Sequence, residues 1–214
     1  KGTITNTDGS YTYTPTANAN GSDSFTITVS DGTATAEQAV TVAISAVDDS
    51  PVADSTSSLS VTEDEATQTT ITASEVDGQT LTYTYSTPSK GTITNTDGSY
   101  TYTPTANENG SDSFTVTISD GTSTDVVQTV SVEIAAVNDA PVTASTSSLS
   151  VSQNTAKSGT ITATDVDGDT LTYTYSTPSK GSITSTDGSY TYTPTTGESG
   201  SDSFTVTVSD GTAT

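Results

Sequence analysis

The sequence predicts an all-β protein built from tandem β-sandwich domains. Polar and apolar residues alternate with a period of two along short segments, and turn signals rich in Gly, Pro and Asp separate these segments. No segment shows a helical period, and the whole pattern recurs about every 90 residues. Each repeat is therefore predicted to form one seven-stranded sandwich, with the domains arranged as beads on a string.

The repeats are nearly identical over much of their length. Residues 90–122 match residues 1–33 except at three positions, and residues 171–212 match residues 81–122 except at six. A period near 90 residues exceeds the roughly 20–50 residues of a solenoid repeat and suits an autonomous domain. Near-identical copies also favour a spacer or a multivalent binder over a catalytic centre.

Two similar motifs mark the junctions between repeats. The first junction is AVDDSP at 46–51, and the second junction is AVNDAP at 136–141. We predict the C-terminal part of a repeat at 1–46, a complete repeat at 47–136, and a repeat lacking its last strand at 137–214. The chain is interpreted as a window of a longer array.

In the complete repeat, alternation predicts seven strands. They centre on residues 58–61, 70–73, 81–85, 92–94, 100–103, 114–118 and 130–136. Asp97-Gly98 is predicted to form a hairpin turn, because glycine tolerates the positive φ that such turns require. The inward faces carry Leu, Ile, Val, Tyr and Phe, whereas the outward faces are mostly Thr and Ser, which explains a hydrophobic content of only 29%. Six strands are expected in 142–214.

The composition excludes several functions. The chain has four Lys, no Arg and a net charge of −22, so it lacks the basic patch of a nucleic-acid binder and is disfavoured at an anionic membrane. It has no apolar run near the roughly 20 residues that span a bilayer. Without His or Cys, and with no nucleophile–base set, it is predicted not to be an enzyme. The expected counter-ions are cations.

The densest acidic motif is Asp165-Val166-Asp167-Gly168-Asp169. Calcium takes six to eight oxygen ligands, and three alternating carboxylates around a tight turn supply several of them. The complete repeat has Glu75, Asp77 and Gln79 at the same positions, which are again oxygen donors. From the motif alone, a calcium loop and a solvated turn are equally open.

Further motifs add a family resemblance. The segment ITATDVDGDTLTYTYS resembles the second-strand region of cadherin repeats, and AVNDAP resembles their linker. TED at 62–64, DGSYTYTP at 97–104, NGSDSF at 109–114 and SDG at 119–121 extend the match. Together they resemble the bacterial cadherin-like and immunoglobulin-like tandem repeats of large surface adhesins, over essentially the whole chain.

The resemblance implies calcium at the domain junctions. The ligands implied at the second junction are Asn138, Asp139, Asp165, Asp167 and Asp169, with Glu63 from the preceding repeat. Those implied at the first junction are Asp48, Asp49, Glu75 and Asp77. The acid that precedes the cadherin linker is replaced by alanine here, and the third repeat has Gln153 in place of Glu63. One or two ions per junction are therefore expected.

Other acidic residues are assigned to turns. Asp112, Asp120, Asp202 and Asp210 lie at strand ends, where backbone capping is favoured over calcium binding. Asp8, Asp97 and Asp187 are assigned to hairpin turns. The tyrosine pairs are predicted to be core residues rather than a sugar-binding platform.

The function expected is that of extender repeats in a bacterial cell-surface or secreted adhesin, for adhesion or for a biofilm matrix. The alternative is a module that binds carbohydrate directly, for example as an accessory to a secreted hydrolase. The expected partners are neighbouring repeats of the same chain, and the further candidates are like chains in a filament or matrix and glycans. The expected location is extracellular or on the cell surface.

Overall fold

The computed structural model describes residues 1–7 and 9–212, and it is all-β with no helix among those residues. The turn predicted at Asp8 and the last two residues of the third repeat lie outside the described residues. The strands are β1 Gly2–Thr7, β2 Ser10–Pro15, β3 Gly21–Ser30, β4 Thr35–Ile44, β5 Val52–Ala53, β6 Thr56–Thr62, β7 Thr67–Thr70, β8 Ala73–Ser74, β9 Thr82–Tyr85, β10 Gly91–Thr96, β11 Ser99–Pro104, β12 Gly110–Ser119, β13 Val126–Ala135, β14 Val142–Thr143, β15 Lys157–Thr160, β16 Ala163–Thr164, β17 Thr172–Tyr175, β18 Gly181–Thr186, β19 Ser189–Pro194 and β20 Val206–Ser209.

The complete repeat forms a four-stranded sheet, β6-β13-β12-β9, and a three-stranded sheet, β10-β11-β7. The predicted alternation is confirmed: Phe114, Val116 and Ile118 of β12 are buried, while the residues between them are more exposed. The ring of Tyr102 in the second sheet stacks on Phe114 at 6.3 Å, and Tyr100 meets it edge-on at 5.4 Å. An aromatic cluster therefore joins the two sheets.

The hairpin between β10 and β11 turns at the predicted position. Asp97 and Gly98 have φ values of 46° and 80°, which is the pair of positive angles that a two-residue hairpin turn requires. A Cβ placed on Gly98 would lie 2.9 Å from the Tyr83 ring. Glycine is therefore needed here both for its backbone angle and for its lack of a side chain.

The second predicted strand is divided in two. β7 pairs with β11, whereas β8 pairs with β5, and neither includes Ile71. The Ile71 N–H donates to the carbonyl of Gly98 at 2.8 Å, so the backbone bonds to the hairpin turn instead of to a strand. The prediction of one continuous strand over 70–73 is wrong for this reason.

The first of the strands predicted in the third repeat is absent. Residues 144–156 contain the counterpart of β6, but the structure assigns no strand to them. In the complete repeat β6 pairs with β13, and the described residues include no counterpart of β13. A groove of about 680 Å³ lies between residues 143–151 and 200–208. A strand without a neighbour cannot form a hydrogen-bonded ladder, which explains the difference.

The chain forms two compact units. One comprises Lys1–Val61, Glu65–Thr103 and Ser111–Glu133. The other comprises Thr62–Asp64, Pro104–Gly110 and Ile134–Thr214. The first junction and its acidic loop lie in the former, and the second junction, its acidic loop and Glu63 lie in the latter. The described part of the chain contains no helix capable of crossing a bilayer.

Candidate metal centres at the domain junctions

The acidic loop of the second junction begins where β16 ends. Asp165 Oδ1 accepts hydrogen bonds from the backbone N–H groups of Asp167, at 3.0 Å, and Asp169, at 3.3 Å. Gly168 takes a φ of 80°, which closes the turn. The loop therefore brings three carboxylates together, and one oxygen from each of Asp165, Asp167 and Asp169 lies within 4.8 Å of the other two.

The linker of the second junction lies against this loop. The Asp139 N–H donates to Asp167 Oδ2 at 2.7 Å. The Asn138 amide donates to Asp210 Oδ2 at 2.8 Å, and β14 pairs with β16 directly after the linker. The linker is thus fixed to the third repeat at three points, and the Asp139 carboxylate faces the loop carboxylates.

Glu63 reaches the linker from the end of β6. Its backbone N–H donates to the Ala135 carbonyl at 3.0 Å, and its side-chain Oε1 accepts from the Val137 N–H at 2.5 Å. Glu63 is only 2% exposed, and its other oxygen, Oε2, is buried without a hydrogen-bond donor among the described residues. A buried, half-satisfied carboxylate is unfavourable unless another group neutralises it.

Three carboxylate oxygens at the second junction are buried without a hydrogen-bond donor. They are Glu63 Oε2, Asp139 Oδ2 and Asp165 Oδ2, and none accepts a hydrogen bond from a described residue. The pKa of Asp139 is raised, first by burial and then by repulsion from Asp64, Asp167, Glu63 and Asp165. Asp139 therefore lies within electrostatic reach of four other carboxylates. We call Glu63, Asp139, Asp165 and Asp167 the second-junction cluster.

The first junction repeats the same scaffold. The Asp49 N–H donates to Asp77 Oδ2 at 2.8 Å, and the Asp77 N–H donates to Glu75 Oε1 at 3.0 Å. The Gln79 amide donates to Asp48 Oδ1 and, at 3.4 Å, to Thr122 Oγ1. The oxygens Glu75 Oε2 and Gln79 Oε1 are buried and lack a donor within the described chain.

The structure brings the sequence-predicted site residues together in two groups. Asp48, Asp49, Glu75 and Asp77 meet at the first junction, and Glu63, Asn138, Asp139, Asp165, Asp167 and Asp169 meet at the second. Asn138 uses its amide nitrogen on Asp210, which leaves its carbonyl oxygen for a metal. The assignment of these residues as metal ligands stays a prediction.

Two residues of the second junction were not predicted as site residues. Asp64 repels Asp139 and accepts from the Asn107 N–H at 3.1 Å. Asp210 caps its turn as predicted, because Oδ1 accepts from the Thr212 N–H at 2.6 Å, but its second oxygen holds Asn138. Asp64 could have been predicted as a site residue because it directly follows Glu63 in the sequence. Nothing local in the sequence shows that the turn of Asp210 lies beside the linker.

The remaining strand-end aspartates have the predicted capping roles. Asp112 accepts from the N–H groups of Ser89, at 3.0 Å, and Lys90, at 2.9 Å, and from the Tyr102 hydroxyl at 2.7 Å. Asp202 repeats this arrangement with Ser179, Lys180 and Tyr192. Asp120 accepts from the N–H groups of Thr122 and Ser123. These carboxylates therefore hold the turns beside them through several hydrogen bonds each.

Comparisons with known proteins agree with this architecture. The family model described as bacterial Ig domain matches three successive segments, 1–43, 48–133 and 138–214. A comparison with curated proteins gave no match.

Solved structures show the same fold. The chain is similar to the crystal structure of human CDH23 EC21-23, with a TM-score of 0.53 and 20% identity, over 82% of this chain and 65% of that one. It is also similar to the protocadherin gammaB4 extracellular domain, with a TM-score of 0.51 and 18% identity, over 82% of this chain and 32% of that one. It spans less than two thirds of either structure.

The matched segments cover nearly the whole chain and alternate with the two junctions, and the repeats have the cadherin-like and immunoglobulin-like fold that the sequence predicted. The chain therefore belongs to the bacterial Ig domain family, as a tandem array of its repeats.

Proposed function

We propose that the chain is an extender segment of a bacterial extracellular adhesin, and that calcium at its junctions stiffens it. The observation that supports this proposal is Glu63, which is only 2% exposed, accepts a hydrogen bond from the linker with one carboxylate oxygen, and has its other oxygen buried without a donor. Two of its anionic neighbours, Asp139 and Asp165, also have one buried oxygen each that lacks a donor. Converging carboxylates with buried, unpartnered oxygens and no basic residue among their hydrogen-bond partners are suited to a divalent cation.

The donor set favours calcium among the common divalent ions. The groups that converge are carboxylate and amide oxygens, which hard cations prefer, and the sequence offers no His or Cys for a transition metal. Carboxylates on loops can spread to accommodate the six to eight ligands of calcium more readily than the strict octahedron of magnesium. A bound calcium ion would neutralise carboxylates contributed by the linker and by both of its neighbouring repeats.

Calcium would stiffen the junction because its proposed ligands come from the linker and from both neighbouring repeats. Asp139 belongs to the linker, Asp165 and Asp167 to the third repeat, and Glu63 to the complete repeat. Without a cation these groups repel one another, so the linker is pushed away from the side chain that it must approach. Extracellular calcium modules bind at roughly 10⁻⁴–10⁻³ M, which suits a role outside the cell, in adhesion or in a surface matrix.

A carbohydrate-binding module is less well supported. Sugar-binding surfaces need exposed aromatic rings, but Tyr100, Tyr102, Tyr190 and Tyr192 are buried in the cores of their repeats. Tyr11 is the most exposed tyrosine among the described residues, at 46%, and it packs edge-on against Phe25 at 5.1 Å. The described part of the chain thus shows no exposed aromatic row, and a non-enzymatic extender remains the proposal.

Small-angle scattering with and without a chelator tests the proposal. About 5 mM calcium saturates an extracellular site of this kind. At that concentration we expect the maximum dimension of the chain to show a narrow distribution. Excess EGTA should broaden that distribution. Glu63→Gln should need more calcium to reach the narrow state, whereas Glu65→Gln, the same change at an exposed residue two positions away, should behave like the wild type.

Two results would contradict the proposal. The first is an identical distance distribution in calcium and in EGTA. The second is an equal response of the Glu63 and Glu65 variants, which would show that calcium acts through the overall charge and not through the second-junction cluster.

A further inference from the structure

The complete repeat contributes two segments to the second junction. Thr62–Asp64 lie at the end of β6, and Pro104–Gly110 contain the loop between β11 and β12. Both segments belong to the compact unit that contains the linker and the third repeat. They are joined to each other, because Asp64 Oδ1 accepts a hydrogen bond from the Asn107 N–H at 3.1 Å. The β11–β12 loop is therefore held at the junction by the segment that carries Glu63.

Asn107 lines a cavity together with two members of the second-junction cluster. The cavity has a volume of about 300 Å³ and is lined by Asn107 from the complete repeat, Asp139 from the linker and Asp165 from the third repeat, among others. Asp139 and Asp165 each have one buried carboxylate oxygen without a donor. Asn107 thus borders the same space as two carboxylates that lack partners.

The backbone of this loop does not require asparagine at position 107. Asn107 has a φ of 59°, in the left-handed region where glycine is the least strained residue. Its counterpart in the third repeat is Gly197, with a φ of 85°, and the Gly197 N–H donates to Asn154 Oδ1 at 3.0 Å. The turn also closes with a 3.1 Å backbone hydrogen bond in both repeats. The same loop therefore forms without a side chain at this position.

Three residues at this end of the repeat differ together between the two copies. The complete repeat has Glu63, Asp64 and Asn107, where the third repeat has Gln153, Asn154 and Gly197. Only six positions of 81–122 differ in 171–212, and position 107 is one of them. The exchange removes two carboxylates and the amide of Asn107 but keeps the hydrogen bond that holds the loop. The side chain of Asn107 is thus found together with the acidic pair, and its loss accompanies the loss of that pair.

Glu63 supplies the independent observation that points to a ligand at this site. It is 2% exposed, and its Oε2 is buried without a donor while its Oε1 accepts from the Val137 N–H of the linker. Calcium takes carbonyl oxygens of asparagine side chains as well as carboxylates among its six to eight ligands. A neutral oxygen completes such a shell without adding to the repulsion between the carboxylates.

We propose that Asn107 is a further ligand of the divalent cation at the second junction, through its side-chain carbonyl oxygen. This inference rests on the proposed calcium function and adds to it a neutral ligand from the β11–β12 loop. The complete repeat then holds the ion from two separate segments instead of through Glu63 alone. Two points of attachment restrict rotation of the repeat about the linker, which a single ligand would permit.

Calorimetric titration with calcium tests this inference in the whole chain carrying Glu75→Gln and Asp77→Asn. Those two changes remove the carboxylates of the first acidic loop, so the titration reports the second junction. Asn107→Gly should raise the Kd for calcium by about three- to tenfold. It should not lower the Tm of the calcium-free protein, because glycine suits the positive φ of this position.

Two further variants in the same background separate a ligand from a structural residue. Asn107→Asp keeps an oxygen at the same place, so its Kd should be no higher than that of the background protein. Glu108→Gln changes the exposed neighbouring residue in the same loop and should leave the Kd unchanged. Circular dichroism of each variant establishes that it is folded.

The outcomes distinguish this inference from the proposed function. Absence of calcium binding by the background protein at millimolar concentration would overturn both. Binding that is unchanged in Asn107→Gly, or weakened equally by Glu108→Gln, would overturn the inference and leave the calcium-dependent extender intact. Equal weakening by Asn107→Gly and Asn107→Asp would also overturn it, because the second variant retains the oxygen.

Discussion

At the residue scale, Asp112 shows how an exposed turn is held without a disulfide. Burial raises its pKa, but the hydrogen bonds from the Lys90 N–H, the Tyr102 hydroxyl and Ser89 outweigh burial, and the pKa lies well below its usual range. The same aspartate recurs in the third repeat as Asp202. One ionised side chain thus ties the turn before β10 to the sheet that contains β12.

This arrangement predicts an acid-sensitive repeat. A carboxyl whose pKa is lowered by folding stabilises the protein above its unfolded pKa of about 4, and that stabilisation is lost as the pH falls further. Asp112→Asn should therefore be less stable than the wild type in urea at pH 7, and the difference should shrink toward about pH 2.5. Tyr102→Phe, which deletes one donor, should lose about 2 kcal/mol at pH 7. A difference between the wild type and Asp112→Asn that does not depend on pH would contradict this account.

Residue-scale prediction from the sequence succeeded where chemistry is local. Asp97 and Gly98 form a turn whose geometry depends on their own backbone angles, and the predicted turn is present. The second role of Asp210 was missed because its partner, Asn138, is 72 residues away. Sequence patterns identify which groups can bond, but a contact of that range depends on how the strands between them are ordered.

At the element scale, the alternation of side chains predicted β12 and β13 because both lie within a sheet with a partner on each side. It failed at residues 144–156, although their sequence alternates in the same manner as β6. It also missed the interruption at Ile71, where the chain leaves one strand partner for another. Period-2 patterning specifies which face is buried, and strand formation additionally requires a neighbour.

The β10–β11 hairpin allows backbone and steric effects to be separated. Gly98→Ala places a methyl group at a φ of 80° and within 2.9 Å of the Tyr83 ring. Gly121→Ala has a similar φ of 86° but meets nothing within 4 Å. We expect a loss of about 1 kcal/mol for Gly121→Ala from the backbone alone and about 2–3 kcal/mol for Gly98→Ala. Urea denaturation of both variants measures the difference, and equal losses would show that the Tyr83 contact is relieved without cost.

At the scale of the whole molecule, a net charge of −22 on 214 residues sets the response to salt. Carboxylates concentrate at the junctions, where the raised pKa of Asp139 reflects burial and their mutual repulsion. Monovalent salt screens such repulsion over roughly 10 Å at 0.1 M ionic strength. Screening by monovalent salt does not place a cation against the buried carboxylate oxygens.

Sodium chloride and calcium should therefore act differently. In EGTA, raising sodium chloride to about 0.5 M should increase the Tm gradually, because screening weakens the repulsion between carboxylates. A few millimolar calcium should give a larger increase, and the same concentration of magnesium a smaller one, because magnesium requires a stricter geometry. Differential scanning calorimetry measures all three, and equal effects of calcium and magnesium would indicate non-specific screening.

The near-identity of the repeats has a kinetic consequence. Hairpins β1–β2, β10–β11 and β18–β19 have almost the same sequence, so a hairpin from one repeat matches the sheet of its neighbour nearly as well as its own. Misassembly between neighbours is a characteristic failure of such arrays. The strands β4 and β13, which follow the shared region, differ from each other in sequence. The strands that pair with these hairpins, β7 and β15, differ as well. The information that keeps each repeat with its own strands therefore resides outside the shared hairpins, in the strands that come before and after them.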